Sequence, residues 1–410
     1  MKKLLFVINT MGCAGAEFAL LELFRHLDSP EYEVSLYVMV NQGELARELP
    51  PYVRLLNRRY QYDSVLTPKG RRKLMAQVLR AMVTRGTVFR LLPYLWRNFW
   101  RMLRKGEVRL DKLLWRVLAD GGERMEETYD LAVAFHEGGS TYYVADHVKA
   151  RKKASFLHID YEKGGYSPML DGDCYQKIDQ IFLVSDEIKG AFLAFHPECE
   201  SKVEVFHNIL NRERIYRLST LPGGFSDHFD GFRVVTLGRL AKQKALEVSI
   251  QAARLLKDAG VPVRWYVLGE GDQRAFLEKT IRSLELEEDF LLPGTVKNPY
   301  PYLRQADLYV HASRYEGKSI AIQEAQILGK AILISDCSGN REQVVHGVDG
   351  LLCDLTPEAI CASMRELLQN EELRERLGQA AAKRPQTDGR ELNKLLSLLE
   401  PSGGGREDAG

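Results

Sequence analysis

The chain has 410 residues, 57 of them Lys or Arg against 56 Asp or Glu, and an apolar share of 45%. That length suits two domains of roughly 150–200 residues each, and the balanced charge is ordinary for a globular enzyme. No uncharged apolar run reaches about 18 residues, which excludes a membrane-spanning helix. The six cysteines (13, 174, 199, 337, 353, 361) show no C-x-x-C pair and no metal-ligand spacing, a pattern expected of reduced thiols in a cytoplasm.

Met1-Lys2-Lys3 and the Leu-Leu-Phe-Val-Ile that follows open like a leader peptide. The apolar run is too short for one and no small-residue cleavage site follows, so residues 3–9 read as a first β-strand. N-T-M-G-C-A-G-A-E at 9–17 is a glycine-containing turn, and Phe18 to His26 carries a helical pattern. Strand, glycine loop and helix is how nucleotide-binding folds begin, although G-C-A-G is not G-x-G-x-x-G. Glu33 to Val40 reads as a second strand. After a basic insertion at about 58–118, Tyr129 to Phe135 is a third, ending in His136-Glu137-Gly138-Gly139. Lys153 to His158 is a fourth, ending L-H-I-D-Y; Ile181 to Ser185 and Val203 to Phe206 are short buried strands. Such alternation predicts a mostly parallel sheet with helices on both faces. Ligands of these sheets bind at the carboxyl ends of strands, where His136, Glu137 and His158 lie.

The first domain is therefore placed at 1–207 and a linker at 208–229, where Pro222, Gly223 and Gly224 interrupt a stretch of weak periodicity. The second domain, 230–385, opens with Phe232 to Leu237, followed by G-R-L-A-K-Q-K-A-L and a helix to Asp258. Arg264 to Leu268 ends in G-E-G-D, Phe290 to Leu292 in P-G-T-V, and Ala306 to His311 is the next strand. The stretch S-R-Y-E-G-K-S-I-A-I-Q-E-A-Q-I-L-G-K-A-I-L-I-S-D, 313–336, then reads as loop, helix and buried strand. Lys318-Ser319 open the helix, Gly329 suits its left-handed C-terminal position, and Ala331 to Ile334 is the strand. Glu358 to Leu368 and Glu371 to Ala382 are helical. Leu392 to Leu399 forms a last helix within 386–400, and the tail at 401–410 is expected to be disordered.

The helix start at 320 offers free N–H groups and partial positive charge to a phosphate. Glu316 in the loop before it is placed to accept hydrogen bonds from sugar hydroxyls, and Glu324 within it to reach a ribose. Gly238, Arg239 and Lys244 follow the first strand of the second domain; a guanidinium fork and a point charge there suit phosphate oxygens.

The 313–336 segment, E-G-K-S-I-A above all, resembles the donor-site signature of the retaining family 4 glycosyltransferases, and is similar to bacterial members that build capsules and exopolysaccharides. The resemblance implies a GT-B architecture, an α/β fold with two Rossmann-like domains facing a cleft and a last helix crossing back to the first domain. It implies a hinged closure near Asn208 on a nucleotide-sugar donor, a UDP-sugar by family habit, and a glycan or lipid-linked glycan acceptor. Family roles carry over residue by residue. Glu316 meets the transferred sugar and Glu324 the ribose, while Gly317, Lys318 and Ser319 complete the loop. Arg239 and Lys244 clamp the diphosphate. Gly269 and Gly294, at strand ends, let the backbone approach the nucleotide. The residue after the lysine is usually glycine; here it is Ala245. The family's first loop is often G-G-A-E; Ala14 stands in place of its first glycine, so Gly12, Gly15 and Glu17 are carried over. F-L-H-I-D resembles the strand-end histidine that faces the sugar, which assigns His158 a catalytic contact with His136 as its competitor. Asp160 and Glu137 fall on the acceptor side. Retention is expected by front-face substitution, the leaving diphosphate helping to deprotonate the acceptor, with Glu316 as nucleophile the less favoured route.

No metal or cofactor is expected, since GT-B enzymes use Arg, Lys and helix N-termini in their place; Asp171-Gly172-Asp173 has D-x-D letters but lies in a glycine-rich connector. From Ser64 to Gly106 there are eleven Lys and Arg and no acidic residue. A helix from Pro93 to Lys105 would gather Leu95, Trp96, Phe99, Trp100, Met102 and Leu103 on one half. Arg97, Arg101, Arg104 and Lys105 would take the other, as in a helix lying at a membrane surface. This reading predicts a cytoplasmic enzyme, peripheral on the inner face of the plasma membrane. Competing readings are a nucleotide-sugar epimerase or a phosphorylase on the same fold, or a nucleic-acid-binding protein built on the basic insertion, for which no module is present.

Overall fold

The stretch from Leu4 to Ile8 is apolar at every position and all five side chains are fully buried, as in a strand covered on both faces. In the computed structural model, which describes residues 1–104, 106, 108–385 and 389–400, this stretch is the centre of a parallel sheet. The chain divides into two units. One takes Met1–Gly12, Ala16–Ile209 and residues 389–400; the other takes residues 210–385 with Cys13–Gly15.

The strands of the first unit are β1 Lys2–Ile8, β2 Tyr32–Val38, β3 Arg54–Leu55, β4 Thr128–Ala134, β5 Lys149–Leu157, β6 Gln180–Leu183 and β7 Val203–Val205. They pair in the order β3-β2-β1-β4-β5-β6-β7, all parallel, with Leu4 opposite Val34 on one side and Leu131 on the other. The second unit repeats the plan with β8 Phe232–Leu237, β9 Val263–Leu268, β10 Phe290–Gly294, β11 Leu308–His311, β12 Ile332–Ser335 and β13 Leu351–Cys353, in the order β10-β9-β8-β11-β12-β13. Strand order reverses between β1 and β4, and again between β8 and β11. The crevice outside the carboxyl ends at such a reversal is where open α/β sheets bind ligands. The core of the second unit is built around Trp265, fully buried against Phe290, with its indole N–H donating to Thr236.

Between β3 and β4 run three helices, Pro68–Val83, Thr87–Arg104 and Leu110–Gly121. Thr67 caps the first by accepting from the Gly70 N–H, with Pro68 at its opening. The second starts six residues before the expected Pro93, which sits inside it. An interior proline lacks one N–H and crowds the preceding turn, costing about 3 kcal/mol. Packing carries the helix through. Leu91 and Leu95 rest on the core of this unit, and the Tyr94 hydroxyl donates to the Leu170 carbonyl at 3.0 Å. Lys105, expected at the end of this helix, lies outside the described residues.

The stretch expected as a linker, 208–229, holds a helix, Arg212–Ser219, capped by the Asn211 side chain. Asp227 accepts from Arg264 and Arg233 at 2.6 and 3.0 Å. Both features bind the stretch into the second unit. The last helix, Arg390–Leu396, belongs to the first unit: Glu391 accepts from the His207 N–H at 3.1 Å, and Lys394 donates to the Val205 carbonyl at 2.7 Å. The residues expected to lead into it, 386–388, and the expected disordered tail, 401–410, lie outside the described residues. Among the described residues, no helix is long and apolar enough to cross a membrane.

Candidate functional site

In the second unit, a short 3-10 turn, Lys242–Lys244, follows β8 and aims Lys244 along the carboxyl edge of the sheet. Ala245 then takes a left-handed backbone, φ 45°, which costs a residue with a Cβ roughly 1–2 kcal/mol; this is the position where glycine was the expected residue. The ammonium of Lys244 donates to Glu316 Oε1 at 2.6 Å. The same oxygen accepts from Ser313 Oγ at 2.5 Å and lies 3.0 Å from His311 Nε2. The Tyr309 hydroxyl sits 2.8 Å from His311 Nδ1. A neutral imidazole with its proton on Nε2 satisfies both contacts, donating to Glu316 and accepting from Tyr309.

The electrostatics fit that assignment. Burial alone would raise the Glu316 pKa, but the Lys244 ammonium and the His311 hydrogen bond outweigh it and hold the carboxyl well below its usual range. Burial and then the Lys244 charge push the His311 pKa down, against the pull of Glu316. Near neutral pH the cluster is therefore an ammonium, a carboxylate and a neutral imidazole.

The loop that carries Glu316 is held from behind. The Glu316 N–H donates to the Ser338 carbonyl at 2.9 Å, and Gly339 packs so closely that a Cβ there would lie 2.3 Å from the Gly317 oxygen. The following helix is Ile320–Ile327, with Ser319 at its N-cap. The Ser319 side chain makes no capping bond; instead Gln343 accepts from its N–H and donates to its carbonyl, at 2.7 and 2.8 Å. At the other end the Gly329 N–H bonds the Gln326 carbonyl and the Lys330 N–H that of Ala325, the Schellman closure that a left-handed glycine allows. Glu324 accepts from the Tyr300 hydroxyl at 2.8 Å.

The three strand-end glycines also meet. The Gly238 N–H donates to the Leu268 carbonyl and the Gly269 N–H to that of Gly294. A Cβ on Gly269 would lie 2.0 Å from the Gly238 oxygen, so no side chain fits there. Arg239 is exposed beside them.

In the first unit, Asn9 at the end of β1 donates to the Glu137 carbonyl and accepts from the Ser140 N–H, which draws the loop after β4 to the loop after β1. Glu137 accepts from the His158 N–H at 3.0 Å. The His158 ring lies parallel to Phe156, beside Phe135 and His136. Its Nε2 is buried with no hydrogen-bond partner among the described residues. Burial, and then the His136 imidazole, push its pKa down to about 4. Asp160, also buried, accepts from the Lys163 N–H and pairs with its ammonium. Gly12 donates to Thr10 Oγ1, and Gly15 opens the Gly15–Arg25 helix. Neither glycine has a positive φ, and a Cβ on Gly15 would meet open space, so turn geometry does not require them.

Sequence reasoning missed His311, Ser313 and Tyr309. The signal was present for His311, a histidine at the end of the buried run L-Y-V-H, the same position that singled out His158. The D-x-D letters have structural uses: Asp171 is fully buried and accepts from the Tyr142 and Tyr161 hydroxyls, while Asp173 pairs with Lys177. Among the described residues, His196, Glu198 and Cys199 alone bring three metal-ligand atoms within 4.8 Å. Both His196 nitrogens are already engaged, by Glu198 and Tyr161.

Residues 229–384 match the family model described as glycosyl transferases group 1. The chain is 31% identical over 176 residues to the N-acetylgalactosamine-N,N'-diacetylbacillosaminyl-diphospho-undecaprenol 4-alpha-N-acetylgalactosaminyltransferase of Campylobacter jejuni, an alignment covering 42% of this chain and 46% of that one. It is 31% identical over 148 residues to the amylovoran biosynthesis glycosyltransferase AmsK of Erwinia amylovora, covering 34% and 36%. The chain thus spans less than half the length of these relatives. Among solved structures, S. aureus TarM superposes with a TM-score of 0.66 over 98% of this chain and 100% of that one at 12% identity. HepE of Anabaena in complex with UDP superposes with a TM-score of 0.61 over 93% of each chain at 16% identity. These likenesses establish the fold as two parallel-sheet α/β domains of GT-B type. β8 to β12 and the Lys244–Glu316 loops lie inside the matched segment, so the likeness to the glycosyl transferases group 1 family falls on residues 229–384.

Proposed function

We propose that this chain is a retaining glycosyltransferase that moves a sugar from a nucleotide-sugar donor, a UDP-sugar, to a growing surface polysaccharide or lipid-linked glycan on the cytoplasmic side of the membrane. The observation that carries the reading is the Lys244–Glu316–His311 cluster at the carboxyl ends of β8 and β11, where strand order reverses within the matched domain. Lys244 and Arg239 bind the diphosphate and stabilise the charge that develops as it departs, as positioned cations do in a partly dry site. The start of the Ile320–Ile327 helix adds N–H groups and partial positive charge. Gly238, Gly269 and Gly294 let the nucleotide approach the backbone. Glu316, ionised and fixed by three partners, accepts from hydroxyls of the transferred sugar, and Glu324 accepts from the ribose. His158, neutral at working pH and with an Nε2 unpartnered among the described residues, meets the sugar; Glu137 and Asp160 serve the acceptor. The names of the relatives, one acting on a diphospho-undecaprenol substrate and one in amylovoran biosynthesis, support the acceptor class, and the UDP complex of HepE supports the nucleotide.

The test is a thermal-shift panel of nucleotide sugars followed by turnover assays with the one that stabilises. A true donor at a hundredfold excess over its Kd stabilises by about 2.7 kcal/mol, and UDP release must then depend on an added glycan acceptor. Stabilisation by no nucleotide sugar refutes the reading. Isomerisation of the donor without acceptor replaces transferase by epimerase.

A further inference from the structure

We infer that the Thr87–Arg104 helix docks the first unit onto an anionic lipid bilayer, its exposed aromatic and aliphatic row entering the interface beside its arginine row. The inference concerns binding alone and does not depend on the transfer reaction.

At about 100° per residue the helix presents three successive faces. Thr87, Leu91, Leu95 and Asn98 form the face turned to the protein: Thr87 and Asn98 are buried, and both leucines pack on the core. Next around the wheel come Phe89, Leu92, Trp96, Phe99, Trp100 and Leu103, within an arc of about 100°. Phe89 is 80% exposed, Trp96 64% and Trp100 42%, with Leu92 and Leu103 exposed as well. Arg90, Arg97, Arg101 and Arg104 follow on the third face. The wheel drawn from sequence had put Leu95 among the tryptophans; the structure turns it inward. The apolar row is thus not the surface that packs on the protein, and an amphipathic helix resting on its own domain would show the reverse.

A row of large apolar side chains in water is unusual for a protein that stays free in solution. Trp96 and Trp100 stand edge to face at 5.6 Å, with Phe99 against Trp100, and tryptophan is the side chain favoured at headgroup depth. The neighbouring Pro68–Val83 helix adds a second exposed row, Met75, Leu79 and Val83, spaced i, i+4, i+8.

Charge selects the occupant. Residues 64–106 carry eleven basic and no acidic side chains. Asp63 and Asp120, outside this stretch, neutralise Lys69, Lys73 and Arg90, but Arg97, Arg101 and Arg104 have no carboxylate partner among the described residues. A second copy docked antiparallel about a two-fold axis would set arginine rows against one another. An anionic surface accepts them, and an apolar row flanked by cations is the pattern of a helix lying in the plane of the interface.

The test is co-sedimentation of the full chain with vesicles of phosphatidylcholine alone or mixed with phosphatidylglycerol. Binding to the mixed vesicles only, weakening with added salt, is expected, together with a blue shift of tryptophan emission. Trp96→Ser with Trp100→Ser should abolish the shift. Arg97→Gln, Arg101→Gln and Arg104→Gln together should lower partitioning by roughly fivefold per arginine, about a hundredfold in all. These side chains are surface groups, so circular dichroism and melting should match wild type in both variants. Absence of wild-type binding at low salt overturns the inference. So do unchanged partitioning of either variant, self-association that the tryptophan substitutions remove without vesicle binding, and salt-sensitive binding to RNA in place of vesicles.

Discussion

The ammonium of Lys244 lies 2.6 Å from Oε1 of Glu316, 72 residues further along the chain. The contact joins the loop after β8 to the loop after β11 across the point where strand order reverses. His311 and Ser313 converge on the same oxygen, so the carboxylate is held before any ligand arrives. An acceptor set in place beforehand loses little on binding, which is the condition for positioned electrostatics to act on a reaction.

Removing Lys244 should expose the cost of that arrangement. Lys244→Ala leaves an ionised Glu316 buried beside a neutral imidazole, and breaking a buried pair from one side costs about 3–5 kcal/mol. Adding Glu316→Gln removes the orphaned charge and should restore part of the loss in urea unfolding. A double variant no more stable than Lys244→Ala would show that the ion pair does not govern this loop.

The two glutamates should separate in kinetics. Glu316→Gln is expected to lower turnover by a hundred- to a thousandfold, about 2.7–4 kcal/mol, with UDP affinity changed only a few-fold. Glu324→Gln, which weakens an acceptor already paired with Tyr300, should weaken UDP binding roughly ten- to a hundredfold, the worth of a charged hydrogen bond. Titration calorimetry with UDP and steady-state turnover decide the matter, and equal losses of affinity would contradict separate roles.

Two glycines make an internal control. Gly269→Ala would press a methyl group against the Gly238 carbonyl and should destabilise by about 1–3 kcal/mol. Gly15→Ala enters open space at a helix start, so stability should stay within about 0.5 kcal/mol. If Gly15 serves the donor, as the family loop implies, the same variant should still weaken UDP-sugar binding. A Gly15→Ala protein with unchanged donor affinity would remove that residue from the site.

Acid should weaken the fold through its buried histidines. His158 and His147 are both pushed down to about 4, by burial first, then by the His136 imidazole for one and the Arg124 guanidinium for the other. The unfolded chain takes up these protons near pH 6.5. Between about 6.5 and 4 the unfolded state therefore binds more protons than the native one. Stability contributed by these two groups is complete above that window and falls as pH drops through it. His196 has the opposite sign. Burial works against its proton, but Asp171 and Glu198 outweigh it and raise its pKa, so its contribution is present below pH 6.5 and lost above. Urea unfolding of His158→Gln should show a flatter fall from pH 7 to 5 than wild type. An unchanged slope would mean that His158 takes up its proton freely in the folded state.

Much of this protein was legible one residue at a time. Unbroken apolar runs such as Leu4 to Ile8 and Ala331 to Ile334 mark strands buried on both faces, because nothing polar can survive there without a partner. Gly329 marks a helix end because its left-handed backbone lets two N–H groups turn back onto the last carbonyls. The loop from Glu316 to Ser319, together with the strand and helix around it, was enough to name the candidate site. Other features have no local signature. Strands of two or three residues, Arg54–Leu55 and Leu351–Cys353, are too short to carry a period. A proline at 93 argues for a helix start until packing by Leu91 and Leu95 is known. Periodicity shows that the Thr87–Arg104 helix has an apolar side, but not which part of it the protein covers. The partners of Glu316 come from β11, from the loop after it, and from 72 residues upstream. Sequence periodicity reports which side chains avoid water; which of the remaining polar groups meet is decided by strand order and register, since only the folded sheet brings distant strand ends within hydrogen-bonding distance.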